Sequence, residues 1–185
     1  MIIGLLAGTF DPPHLGHLEM AKVALKSGEV DAVWFLPCWE HAFGKKPVDY
    51  VHRLSMCQLM VKDEDFIYVS MDEYIAKSKY TVDALEFITK NNPDKTFRLI
   101  LGTDNFWNLG EWEASAKVMA LAFPLWIRRS DTPNIPAESL FCDCDISSTQ
   151  IRLSIKSSRI RREWRINKIL KQKVTKYILE HKLYR

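Results

Sequence analysis

Two histidines three residues apart, His14 and His17, stand in the stretch GTFDPPHLGH, Gly8 to His17, which follows the apolar run MIIGLLA. At the start of a helix, positions i and i+3 face the same way, so both rings can present N–H donors to one cluster of oxygens. Phosphate suits such a place, because a helix start adds unpaired backbone N–H groups and positive potential. Gly8 lets backbone come close to a ligand, and Pro12 and Pro13 stiffen the loop ahead of a helix expected to begin near Leu15 or Gly16. The dinucleotide fingerprint GxGxxG and the Walker pattern GxxxxGKS/T are both missing, so neither common phosphate loop is in use. Zinc is the rival reading, but HxxxH spacing is missing and no third ligand lies nearby in sequence. A single loop histidine usually has no function; the pair, behind a glycine turn, points to one.

The elements that must position this loop are legible as an alternation. IIGLLAG, DAVWFLP, FIYVSM, FRLILG and ALAFPLWIRR read as strands bounded by Gly, Pro and charged residues. HLGHLEMAKVALKSG, DYVHRLSMCQLMVK and YTVDALEFITKN carry apolar faces at spacings of three and four. Strands apolar on both faces, alternating with helices, predict a Rossmann-like doubly wound α/β fold: one parallel sheet of about five to six strands with helices on both faces. In such sheets ligands bind beyond the carboxyl ends of the strands where strand order reverses, and the histidine loop lies at that edge of the first strand.

A chain of 185 residues, 47% hydrophobic and 26% charged, suits one soluble domain with a full core. No run approaches the length of a membrane span, and the amino terminus lacks the basic region and cleavage site of a signal peptide, so the expected address is the cytoplasm. Cys38 and Cys57 lie in separate elements, and Cys142 and Cys144 are too close for an unstrained disulfide, so all four read as reduced thiols. The net charge of +3 is unevenly spread. Arg159, Arg161, Arg162, Arg165, Lys168, Lys171, Lys173 and Lys176 face only Glu163 and Glu180. A nucleic-acid arm is one reading of that segment. The preferred one is a helix with a solvated basic face, because Ile166, Ile169, Leu170, Val174, Tyr177 and Ile178 recur at helical spacing within it.

GTFDPPHLGH resembles the GTFDPxHxGH signature of the HxGH nucleotidyltransferase superfamily, and DISSTQIR, Asp145 to Arg152, resembles the ISSTxIR motif of its pyridine-nucleotide members. The closer resemblance is to the nicotinate/nicotinamide-nucleotide adenylyltransferase family. KYTVDALEF is similar to that family's SYTxxTL segment, LILGTDNFWNLGEW to its IGxDxxxxxxxW segment, WIRRS to its strand end xxRRP, and KVTKYILEHKLY to its terminal helix. The resemblance implies residues 1–185 as a single nucleotidyltransferase domain, with 147–185 its C-terminal helical part. It implies adenylyl transfer from ATP to a pyridine mononucleotide, with pyrophosphate released and Mg²⁺ carried on the ATP phosphates.

Since a phosphate oxygen is already anionic at neutral pH, this reaction needs no general base, and catalysis rests on positioning and on stabilising charge. The resemblance assigns His14, His17 and Arg152 to the triphosphate as the catalytic set. Gly8, Thr9, Phe10, Gly102, Asp104, Ile146, Ser147, Ser148 and Thr149 fall to ATP binding, with Gly8, Thr9 and Phe10 contributing through their backbone. Lys45, Lys46, Tyr80, Thr81, Trp112 and Arg128 fall to the mononucleotide, Trp112 by stacking on the pyridine ring. No metal-ligating residues are expected. Trp34, Trp107 and Trp126 are assigned mostly to packing.

The chain departs from the family's PxxxPPHK segment: it reads PCWEHAFGKKPVDYVHR, in which the register of His41, Lys45 and Lys46 is open and Arg53 matches a family arginine at a helix start. Trp164 has no assignment. Three readings stand beside the main one: another HxGH transferase such as phosphopantetheine adenylyltransferase, a non-catalytic pyridine-nucleotide sensor, and a nucleic-acid binder acting through the basic tail. The choice between nicotinate and nicotinamide rings and the oligomeric state, homo-oligomer included, are left open by the sequence.

Overall fold

The computed structural model describes residues 1–40, 44, 46–128, 136–144, 146–156 and 169–185, with the side chain of Asp104 outside that set. Lys45, His41, Asp145, Trp164 and the basic residues from Arg159 to Lys168 therefore lie outside the described residues.

The described strands β1 (Ile2–Gly8), β2 (Ala32–Pro37), β3 (Ile67–Val69), β4 (Thr96–Gly102), β5 (Ala122–Arg128) and β6 (Leu140–Phe141) form one sheet in the order β3-β2-β1-β4-β5-β6. Every pairing is parallel, with Ile3 opposite Ala32, Leu5 opposite Leu99, and Leu99 opposite Pro124. The chain runs outward from β1 in one direction and then from β4 in the other, which makes the β1/β4 boundary the place of reversal.

Alternation along the strands divides the core in two. Leu6, Ile100, Leu125 and Ile127 face α1 (Leu15–Lys26), α2 (Tyr50–Val61), α6 (Ser148–Lys156) and α7 (Gln172–Glu180). Ile3, Leu5, Leu99, Leu101 and Trp126 face α4 (Thr81–Asn91) and α5 (Ser115–Leu121). Both faces of the sheet are thus apolar, as a parallel sheet requires. Pro124 sits within β5 without breaking the sheet, because the two-residue β6 pairs only with Ile127 and Arg128 and leaves the first half of β5 as an edge.

The sequence reading of FIYVSM as a strand is corrected to the three residues of β3. Ser70 leaves the strand to accept the Asp72 N–H at 3.0 Å, opening the short helix α3 (Asp72–Ala76). The start of ALAFPLWIRR is likewise corrected, since Ala120 and Leu121 close α5 before Ala122 enters the sheet. Trp107, assigned to packing, is instead 62% exposed, in an edge contact with Phe106 at 5.2 Å between ring centroids. None of the four cysteines is in a disulfide. In the tail Lys171 pairs with Glu64, which Lys22 of α1 shares, and Lys173 pairs with Asp63, both acids lying just after α2, while Lys176 pairs with Glu180. Among the described residues no helix is long and apolar enough to cross a membrane.

Candidate active site

The loop after β1 is held open by where its aromatic residue goes. Phe10 has a φ of 50°, uncommon for a side chain of this size, and this sends its ring back into the core. There it stacks on Phe35 at 5.1 Å and meets the edge of His17 at 4.9 Å. Phe10 therefore offers a ligand backbone only.

His14 precedes α1 in extended conformation, and its backbone N–H donates to His17 Nδ1 at 3.2 Å. A ring nitrogen that accepts carries no proton, so His17 in this state bears its hydrogen on Nε2 as a donor. The two rings stack with centroids 3.7 Å apart, His14 almost fully buried and His17 half-buried. Gly16 packs tightly between them: a Cβ there would lie 3.0 Å from His14 Nδ1 and 3.4 Å from Ile146 Cβ, so the His14 ring would have to give by a few tenths of an ångström.

The second motif is built onto the first. Ser148 Oγ donates to the Pro12 carbonyl at 2.9 Å, and Arg152 Nη1 donates to the Asp11 carbonyl at 2.5 Å while lying 3.5 Å from Asp11 Oδ2. Arg152 Nη2 donates to Thr149 Oγ1 at 3.1 Å. Ser147 heads α6, its carbonyl accepting the Ile151 N–H at 3.1 Å, and Ile146 packs into the core beneath. Segments more than 130 residues apart thus meet, with histidine and guanidinium donors beside a helix start.

A cavity of about 420 Å³ adjoins the same loop. Ala7, Gly8 and Thr9 supply the β1 wall, Leu101 and Asn105 the β4 wall, and Tyr80, Thr81, Glu111, Trp112 and Glu113 the wall on the α4 side. The remaining wall, Cys38 and Glu40, is fixed by a buried charge. Arg53, 1% exposed in the first turn of α2, donates to the carbonyls of Thr9 (2.9 Å), Cys38 (2.8 Å), Val48 (3.0 Å) and Trp39 (3.4 Å). From α3, Glu73 accepts the Trp39 N–H at 2.9 Å. Two ionisable side chains thereby replace regular pairing in the loop after β2, and the loop backbone is satisfied by them. Burial pushes the Cys38 thiol up, so it stays neutral.

Glu73 also lines the cavity, and burial pushes its carboxyl up to about 7 against the pull of the Trp39 N–H and the Arg53 guanidinium. The folded chain therefore holds this proton more tightly than the unfolded one, in which a glutamate titrates near 4.5. Its contribution to stability falls as pH rises from about 4.5 to about 7 and then levels off. Glu73→Gln is expected to remove that slope, leaving the variant favoured over the parent at pH 8 relative to pH 4.5 by on the order of 3 kcal/mol. Urea melts of both chains across that range measure it; parallel stability curves would refute it.

The sequence-derived residues fall into groups. Gly8, Thr9, Tyr80, Thr81 and Trp112 line the cavity. Ser148 and Arg152 bond Pro12 and Asp11, Thr149 bonds Arg152, and His14 and His17 bond and stack on each other a few residues along the same loop. Gly102 is buried at the end of β4. Lys46 is exposed and does not line the cavity, and Arg128, at the end of β5, has its guanidinium 5.3 Å from the Phe141 ring, also away from it. Asp11, Cys38, Glu73 and Lys79 take part without having been singled out. Asp11 stood inside the quoted motif as a visible signal, whereas Glu73, in a five-residue helix, left none. Among the described residues no group of three or more His, Cys, Asp or Glu side chains is placed to hold a metal ion.

With two motifs joined at the reversal point of a 3-2-1-4-5-6 sheet, comparison with known proteins becomes decisive. The Cytidylyltransferase-like family matches residues 5–163. The chain belongs to that family. Among curated relatives, the "Probable nicotinate-nucleotide adenylyltransferase" of Anaeromyxobacter dehalogenans is 34% identical, with 99% of this chain and 96% of that protein covered. The protein of the same name from Bacillus pumilus is 32% identical, with 98% and 97% covered. Among solved structures, nicotinic acid mononucleotide adenylyltransferase of Plasmodium falciparum, complexed with NaAD, superposes with a TM-score of 0.82 at 19% identity over 99% of this chain and 97% of that one. This likeness is one of fold, and it extends the cytidylyltransferase-like architecture along the whole described chain.

Proposed function

We propose that this enzyme transfers the adenylyl group of Mg²⁺–ATP to a pyridine mononucleotide, nicotinate mononucleotide first, forming the corresponding adenine dinucleotide and pyrophosphate. The observation that carries the reading is the union of the Gly8–His17 loop with Ser148 and Arg152 beside a cavity of about 420 Å³. The full-length likeness to curated nicotinate-nucleotide adenylyltransferases supports it.

In the step itself, an oxygen of the mononucleotide phosphate forms a bond to the α-phosphorus of ATP as the bond from that phosphorus to the oxygen bridging to the β-phosphorus breaks. Pyrophosphate leaves with Mg²⁺. The attacking oxygen is anionic, so this chain's residues position and neutralise rather than remove a proton. His17 Nε2–H donates to an α-phosphate oxygen, His14 shares the triphosphate, and the Arg152 guanidinium receives charge developing on pyrophosphate. The cavity holds the pyridine ring, with Trp112 stacking on it and Tyr80 and Thr81 at its wall.

Pyrophosphate release with ATP, Mg²⁺ and either nicotinate or nicotinamide mononucleotide tests the reading, and the ratio of kcat/KM values gives the ring preference. Silence with both from folded protein removes it. Trp112→Ala is expected to raise the mononucleotide KM about tenfold through lost stacking while leaving the ATP KM within about twofold. Equal increases in both KM values would place the tryptophan elsewhere.

A further inference from the structure

After α7 the chain turns back through Lys182 and Tyr184, both at positive φ (53° and 64°). The turn is fixed by bonds from Lys182 N–H to Leu179 O (3.2 Å) and from Leu183 N–H to Ile178 O (3.0 Å). Non-glycine residues adopt this conformation rarely, and here it carries the penultimate side chain into the interior, where Tyr184 is 9% exposed. Its hydroxyl donates to Asp11 Oδ1 at 2.9 Å in a buried bond spanning 173 residues.

Among the described residues, two other groups meet the Asp11 carboxylate. Oδ1 also accepts the Val48 N–H at a longer 3.3 Å, while Oδ2 faces Arg152 Nη1 at 3.5 Å and the Asp11 carbonyl takes the same nitrogen at 2.5 Å. Among the described residues, the Tyr184 hydroxyl is thus the shortest contact fixing the carboxylate that faces the Arg152 guanidinium. Burial first, then the Asp11 charge, pushes the phenol well above its ordinary range, so it stays protonated and remains a donor. Val174, Ile178 and Leu183 bury α7 and the turn against the core, so the tail needs no hydroxyl to dock; the hydroxyl has a separate use.

We propose that Tyr184 is a positioning residue for the reaction, which sets Asp11 and through it the Arg152 guanidinium that binds the leaving pyrophosphate. This rests on the role given to Arg152 above. The turn after α7 is in consequence part of the scaffold for ATP.

The test is a double-mutant cycle of Tyr184→Phe with Arg152→Ala, read as calorimetric affinity for Mg²⁺–ATP and as kcat and both KM values. Thermal melts verify that each chain folds. Tyr184→Phe is expected to lower ATP affinity and kcat about five- to tenfold and to leave the mononucleotide KM within about twofold. In the Arg152→Ala background the same change is expected to cost less than about twofold, because its route has been removed. Tyr184→Leu, which retains apolar bulk without a hydroxyl, is expected to behave as Tyr184→Phe does in ATP affinity and serves if the phenylalanine variant does not fold. Wild-type ATP affinity and kcat in both variants, or equal losses in the two backgrounds, overturns the proposal. A parent chain that binds ATP but turns over neither mononucleotide removes the proposed reaction, and the cycle is then decided by ATP affinity alone. A parent chain that binds no ATP overturns both.

Discussion

Replacing His17 by alanine is expected to lower kcat by about 10²–10³-fold, the range seen when one preorganised donor to a developing anion is removed. The His17 ring is oriented on two sides: Nδ1 accepts the His14 N–H at 3.2 Å, and the ring stacks on His14 with centroids 3.7 Å apart. Nε2–H is the donor that the proposed reaction directs at the α-phosphate. Alanine removes the donor and also the backbone partner of His14 at the start of α1, for which a stability loss of about 1 kcal/mol is expected. That is too small to unfold the chain. His17→Gln, which keeps an N–H donor on a looser stem, is expected to fall between the two. The check is single-turnover adenylyl transfer with both substrates saturating, so that binding is separated from chemistry. A rate within about fivefold of the parent's would remove His17 from the chemistry.

The sequence carried the central part of this architecture because its signals there are local. β1 and β2 are continuous apolar runs, β4 closes on the apolar run of Leu99, Ile100 and Leu101 after Arg98, and the histidine pair follows closely on the strand that presents it. The outer strands were less legible for physical reasons. β3 is shortened because Ser70 caps α3, and β6 is two residues long, below what an alternating pattern can mark. Within the site, the type and spacing of His14 and His17 were readable, but the hold on their loop was not. Asp11 meets Arg152 and Tyr184 only after more than 140 residues have folded, and nothing in LEHKLYR indicates that its tyrosine turns inward. Arg53 was visible as an arginine at a helix start. Its burial was not, since full burial of arginine is rare and depends on four carbonyls supplied by three other segments.

That burial gives Arg53→Met the largest expected effect on stability, a loss of about 3–5 kcal/mol. Methionine fills much of the volume but leaves the carbonyls of Thr9, Cys38, Val48 and Trp39 without their donor. At roughly 2–4 °C per kcal/mol for a chain of this length, the melting temperature is expected to fall by about 10 °C. Arg53→Lys is expected to recover only part of it, because an ammonium on a single stem cannot reach both sides of the fork that the guanidinium spans. The mononucleotide KM is expected to rise as well, since Thr9 and Cys38 are cavity walls that Arg53 holds together. The loss depends on Glu73. With the guanidinium gone, the buried carboxylate loses the charge that favours its ionised form, and the penalty is greatest above pH 7. Arg53→Met combined with Glu73→Gln is therefore expected to be less destabilised at pH 8 than the two single changes summed, and the excess is expected to vanish at pH 5, where the carboxyl is protonated anyway. Additive losses at both pH values would mean that the two side chains hold the β2 loop independently.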